Sequence, residues 1–211
     1  RIHWKASARR QELQVKVYEP TTSYNLVLFL NVATFARHWE GTNPLLLEQT
    51  IAVAASVASH AVEERYMVGL LANGSIPHSD QPIRVLPSRR PDQLARVLEA
   101  LAAVTSFTTS TIESLLLAQS ARLPWGSTLV VITAIITEDL LAALVRLHDV
   151  GRRLALVSLE DEPSRRYSLP PGIRVFHLPA SELPFDKELL GKPGDWAPEV
   201  APPLRLAGGG E

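Results

Sequence analysis

Residues 25–31 read NLVLFLN and residues 129–136 read LVVITAII; these two runs decide the architecture. Neither alternates apolar with polar. A strand with one wet face alternates with a period of two, whereas an unbroken apolar run suits a strand covered on both faces, as in a parallel sheet. Residues 13–19, LQVKVYE, behave differently. Leu13, Val15 and Val17 alternate with Gln14, Lys16 and Tyr18, the pattern of a half-buried strand at a sheet edge. Residues 66–72 (YMVGLLA) form another buried run, which the pair Asn73-Gly74 ends as a turn. Residues 83–86, 154–159 and 173–178 complete the expected strands.

Helical patterns separate these runs. Asn43-Pro44 opens the first, with Asn43 as cap and Pro44 in the first turn, and Leu47, Ile51, Ala54, Ala58 and Ala61 recur at helical spacing. Pro91 begins the second, with Leu94, Val97, Leu98 and Leu101 on one face. Ser110 and Glu113 stand at capping-box spacing ahead of Leu115 and Leu116. Thr137, Glu138 and Asp139 start the last helix, with acids placed at the positive end of its dipole, and Gly151 ends it. Strands alternating with helices predict an α/β fold, a doubly wound, mostly parallel sheet of five or six strands with helices on both faces. Leu26 to Leu30 and Leu129 to Ile135 belong at its centre. Residues 1–24 form an N-terminal motif and edge strand, 25–178 the α/β domain, and 179–211 a Pro- and Gly-rich tail.

Composition narrows the function. The 211 residues carry a net charge of −1, which supplies no global basic field for nucleic acid. No cysteine is present, which excludes disulfides and thiolate metal sites. The chain starts at Arg1 and its only methionine is Met67, so it reads as a piece of a longer protein. No signal peptide and no apolar run of bilayer-spanning length stand out.

Chemistry-bearing motifs are sparse. No glycine-rich phosphate fingerprint follows a strand, and residues 31–35, NVATF, offer no glycine for close phosphate approach. Ser56 and Ser59 lie inside a helical pattern and read as packing residues, not nucleophiles. None of the six histidines forms a metal-binding pair at helical spacing; His60 and His148 fall in helices and His177 in a strand. Glu160-Asp161-Glu162 follows a strand at the sheet's carboxyl edge and is read either as a hard-cation site or as solvated loop acids. The opening residues 1–10, RIHWKASARR, have two readings. They form a basic recognition surface anchored by Trp4, or Ile2 and Trp4 pack on the domain while Lys5, Arg9 and Arg10 face water.

The N-terminal motif resembles that of domain-of-unknown-function family 58. Arg1, Trp4, Ser7, Ala8, Arg9, Leu13, Val15 and Glu19 match its pattern, and the apolar strand, the helix containing residues 54–58 and the strand containing Val68-Gly69-Leu70 follow in its order. The resemblance implies a von Willebrand factor A-like fold, a tether of membrane helices upstream with this domain on the cytoplasmic side, and a MoxR-type AAA ATPase as partner. It also implies a place for Mg²⁺, held by an aspartate and two serines after the first strand and by a later threonine and aspartate. The first three positions fall on Asn31, Ala33 and Phe35, and the late aspartate is replaced within Thr133-Ala134-Ile135. Residues 108–111 still offer the threonine hydroxyl, but one hydroxyl makes no site.

The expectation is therefore a non-catalytic interaction module with a degenerate metal site, no metal and no cofactor. Its candidate contacts are Phe35, Arg37 and Trp39 at the carboxyl edge, with Trp4, Lys5, Arg9 and Arg10 from the N-terminal motif. The alternative is a hydrolase or small-ligand binder using Asn31, Thr34, Arg37, His38 and Glu160 at the same edge.

Overall fold

The computed structural model describes residues 9, 11–12, 24–36, 41–77, 81–160 and 169–183. Strand β1 (Asn25–Leu30) leads through helix α1 (Pro44–Glu63) to β2 (Met67–Ser75) and β3 (Pro82–Val85). Helices α2 (Gln93–Ala102) and α3 (Ile112–Ser120) precede β4 (Thr128–Thr133), α4 (Glu138–Asp149), β5 (Arg153–Ser158) and β6 (Ile173–His177). A 3-10 turn, Ala180–Glu182, follows.

The six strands form one sheet in the order β3-β2-β1-β4-β5-β6. All pairs are parallel except β2 with β3. The two apolar runs lie side by side at the centre, with Leu26 opposite Thr128 and Leu30 opposite Ile132. Their side chains split between two cores. Leu28, Leu30, Val130 and Ile132 face α1 and α2, whereas Val27, Phe29, Leu129 and Val131 face α3 and α4. Unbroken hydrophobicity is what burial on both faces requires, so the α/β expectation stands.

The helix ends follow their sequence signals closely. The Asn43 side chain accepts the Leu46 N–H, and that of Thr137 accepts the Leu140 N–H at 3.1 Å. Gly151 takes φ +82°, so that Arg152 N–H reaches back to the Leu147 carbonyl and closes α4. Arg65 closes α1 the same way with φ +63°, where glycine is the ordinary residue.

Three expectations change. Asn73-Gly74 does not end β2; the strand runs on, buried, to Ser75. At Gly74 a Cβ would stand 2.8 Å from Val32 Cγ1 and 2.9 Å from the Thr105 carbonyl, so the glycine serves close chain packing and not a turn. The α3 cap is Thr111 instead of Ser110, because the Thr111 side chain accepts the Ser114 N–H. Finally, α1 is long and apolar enough, by length and composition, to cross a membrane. Here it lies on the sheet with Leu47, Ala54, Ala58 and Ala61 buried, the behaviour of a core helix.

Trp4, Lys5 and Arg10, the strand expected at 13–19, Arg37, His38 and Trp39, Asp161 and Glu162, and the tail from 184 onward lie outside the described residues. Arg9 is described, and it is exposed as expected.

Candidate functional site at the carboxyl edge

Parallel strands end their carboxyl termini on one edge, and the strand order reverses direction beside β1, between β1 and β4. Open α/β sheets place ligands at such a switch point. Register fixes what stands there. Leu30 pairs with Ala72 on one side and with Ile132 on the other. The next residue of each strand is therefore Asn31, Asn73 and Thr133, side by side across the three central strands.

All three are buried, and they bond to one another. Asn31 Nδ2 donates to Thr133 Oγ1 at 3.0 Å, and Asn73 Nδ2 donates to Asn31 Oδ1 at 2.9 Å. Asn31 Oδ1 also accepts the Ala33 N–H at 3.2 Å. Asn73 Oδ1 accepts the Val32 N–H at 2.9 Å, and Asn73 Nδ2 reaches the Ser110 carbonyl at 3.1 Å. Thr133 Oγ1 donates to the Ile135 carbonyl at 2.6 Å. The result is a neutral network that ties β1, β2, β4 and the loop before α3 together.

Over this floor opens a cavity of about 300 Å³, lined by Ala33, Phe35, Thr42, Thr108, Glu113 and Ile135 among others. Phe35, on its rim, is 39% exposed. Glu113 is the one charged residue among the described lining residues, and its Oε1 accepts a hydrogen bond from Thr137 Oγ1 at 2.9 Å. That bond joins the first turns of α3 and α4, where a carboxylate also complements the helix dipole.

Hard divalent cations take several oxygen ligands, usually with a carboxylate among them. The positions matched to the metal motif provide one neutral amide oxygen, on Asn31, which already accepts two hydrogen bonds. Ala33 and Phe35 provide no donor atom in their side chains. The residues at the matched positions therefore do not fit Mg²⁺, and the one carboxylate in the described lining, Glu113, accepts its bond from Thr137. Two described residues of the alternative reading, Thr34 and Glu160, also hold local bonds. Thr34 Oγ1 accepts the Asn43 N–H at 2.7 Å, and Glu160 Oε1 accepts the Ile136 N–H at 2.6 Å. The structure thus brings Asn31, Ala33 and Phe35 to one mouth and places Thr34 and Glu160 in its supporting frame.

Asn73 and Glu113 escaped the sequence reading as site residues. Asn73 was hidden by its glycine neighbour, which mimics a turn. Its signal is positional: it follows the apolar run 66–72 as Asn31 follows the apolar run 25–30.

The profile of a family described as "Protein of unknown function DUF58" matches residues 1–172. The chain belongs to the DUF58 family. The resemblance of its N-terminal motif is thereby extended well beyond the opening strands. Among solved structures, the DUF58 chain is similar to one titled "Crystal Structure of the SpRpn10 VWA domain", at TM-score 0.47 and 10% identity over 77% of this chain and 91% of that one. No curated protein matches the chain.

Proposed function

We propose that this DUF58 domain is a non-catalytic protein–protein interaction module, an adaptor or chaperone-like domain that meets its partner at the carboxyl edge of the sheet. The observation that carries this reading is the closed Asn31–Asn73–Thr133 network. Side chains bonded to one another in a neutral floor hold no cation and activate no nucleophile. They build a rigid surface, on which an exposed aromatic such as Phe35 supplies a desolvating anchor. The family resemblance supplies the rest of the proposal: a MoxR-type AAA ATPase as partner, and a membrane tether in the full-length protein that holds this domain on the cytoplasmic side.

The test is co-purification with the MoxR-type ATPase of the same genome, using Phe35→Ala, Arg37→Glu and Trp39→Ala. Loss of the ATPase from folded variants supports the edge as the docking face. Retention at wild-type levels by all three overturns it. One observation favours a second reading, a small-ligand binder or hydrolase: the rim encloses a cavity of about 300 Å³. A compound that raises the melting temperature of the wild type but not of Glu113→Gln would replace the first reading with the second.

A further inference from the structure

One wall of the carboxyl-edge cavity is a pinned loop. Thr105 N–H donates to the Ser75 carbonyl at 2.9 Å, Ser75 N–H to the Phe107 carbonyl at 3.1 Å, and Thr109 N–H to the Asn73 carbonyl at 2.8 Å. These bonds strap residues 105–109 to the end of β2. Ser106, Thr108 and Thr109 from this loop line the cavity. Phe107, between them, is 63% exposed although its backbone is held in place. With Phe35 it gives this edge two exposed aromatic side chains on fixed backbone, the kind of group that anchors an interface.

Charge at this edge has one sign. Among the described residues, the loops 31–36, 41–43, 73–77, 103–111, 134–137 and 159–160 and the first turns of α1, α3 and α4 carry Glu113, Glu138, Asp139 and Glu160. They carry no lysine, arginine or histidine. Bases stand at the other end of the central strands, where Arg65 precedes β2 and Arg152 and Arg153 open β5. Helix dipoles account for acids in first turns such as Glu138 and Asp139. Glu113 does more, because its side chain also lines the cavity. Among the described residues its one hydrogen bond is the one from Thr137 Oγ1 to Oε1. A carboxylate accepts about four, so most of its capacity faces the cavity unused.

We propose, resting on the reading of this domain as an interaction module, that the cavity takes an arginine side chain of the protein partner, its guanidinium paired with Glu113. Size fits. Pockets for whole small ligands run over roughly 300–1,000 Å³, and this one, at about 300 Å³, suits a single long side chain inserted from outside. A guanidinium brings five donors in a rigid fork, and the hydroxyls of Thr42, Thr108 and Ser110 on the same lining accept those that Glu113 does not. Its planar face stacks on an aromatic ring such as Phe35, which an ammonium does far less well. The acidic edge around the mouth steers a basic patch toward it and fixes its orientation.

The full chain and the MoxR-type ATPase of the same genome provide the test. Binding is titrated for the wild type, Glu113→Gln and Phe107→Ala, and the arginines of the ATPase are modified with phenylglyoxal, free and in each complex. Glutamine keeps a carbonyl oxygen for Thr137, so the starts of α3 and α4 stay tied. The wild type should shield one ATPase arginine from modification. Glu113→Gln should lose that shielding and raise the dissociation constant about tenfold or more, and Phe107→Ala should raise it about threefold or more. Lysine in place of the shielded arginine should weaken binding to the wild type but not to Glu113→Gln, the non-additivity of a direct pair. Wild-type affinity in Glu113→Gln, or a wild-type complex that shields no arginine, overturns the arginine pocket and leaves the interaction module standing. Absence of binding by the wild type removes both together.

Discussion

Asn31 and Thr133 face each other across the central strand pair, the amide nitrogen of one donating to the hydroxyl of the other at 3.0 Å. The bond works as a latch between strands, and the predictions below begin from it.

Asn73→Ala removes three hydrogen bonds from this latch and strands the Val32 N–H without its acceptor. A buried donor left unmade costs about 1–3 kcal/mol, and the side-chain void adds to that. Chemical denaturation should show a loss on the order of 3 kcal/mol. A loss below ~0.5 kcal/mol would show that the network contributes nothing.

Magnesium should leave the protein unchanged. Titration calorimetry at millimolar Mg²⁺ is expected to give no binding heat for the wild type, since the matched positions supply no carboxylate. A dissociation constant in the micromolar range for the wild type refutes the reading of the site as degenerate.

Arg152 is buried, and its guanidinium caps the end of α3. Nη2 donates to the Ser120 carbonyl at 2.6 Å and Nη1 to the Pro124 carbonyl at 3.1 Å, while Cζ lies 4.5 Å from the centre of the Trp125 ring. Arg152→Met leaves those carbonyls without a donor and should cost about 3 kcal/mol. Arg152→Lys should recover only part of it, because an ammonium lacks the planar fork that spans several carbonyls and stacks on indole. Full recovery by lysine would reduce the role of Arg152 to charge alone.

Arg65 holds φ +63° at an exposed position. Arg65→Gly relieves the left-handed strain, and the gain exceeds the added freedom of the unfolded chain; stability should rise by up to ~1 kcal/mol. A fall in melting temperature would show that the arginine side chain makes a contribution of its own.

Much of the fold was readable because burial on two faces leaves short unbroken apolar runs bounded by turn and cap signals. Residues 25–30 and 129–132 had to be central strands, and the caps at Asn43 and Thr137 stood where polar side chains precede apolar periodicity. The site was only half readable. Asn31, Ala33 and Phe35 follow β1 directly, so their meeting at one mouth came with the strand. Asn73 enters the site only through parallel register with a strand 42 residues away, and no local pattern reports register. Arg152 was missed for a similar reason. It lies one residue before β5 and looks like a solvated charge until the end of α3 is brought over it.

The bonds of Asn31 reach 42 residues along the chain to Asn73 and 102 residues to Thr133. On the ribosome, β1 therefore meets its first neighbour long before its second. The half sheet β1–β3 forms under α1 and α2 while its opposite face, Val27, Phe29 and Leu71, still waits for α3 and α4. Such separations slow folding and leave an apolar face and an open strand edge exposed during synthesis. A nascent chain stalled before Thr128 should accordingly be a substrate for general chaperones, and release of a folded domain should await emergence of β4.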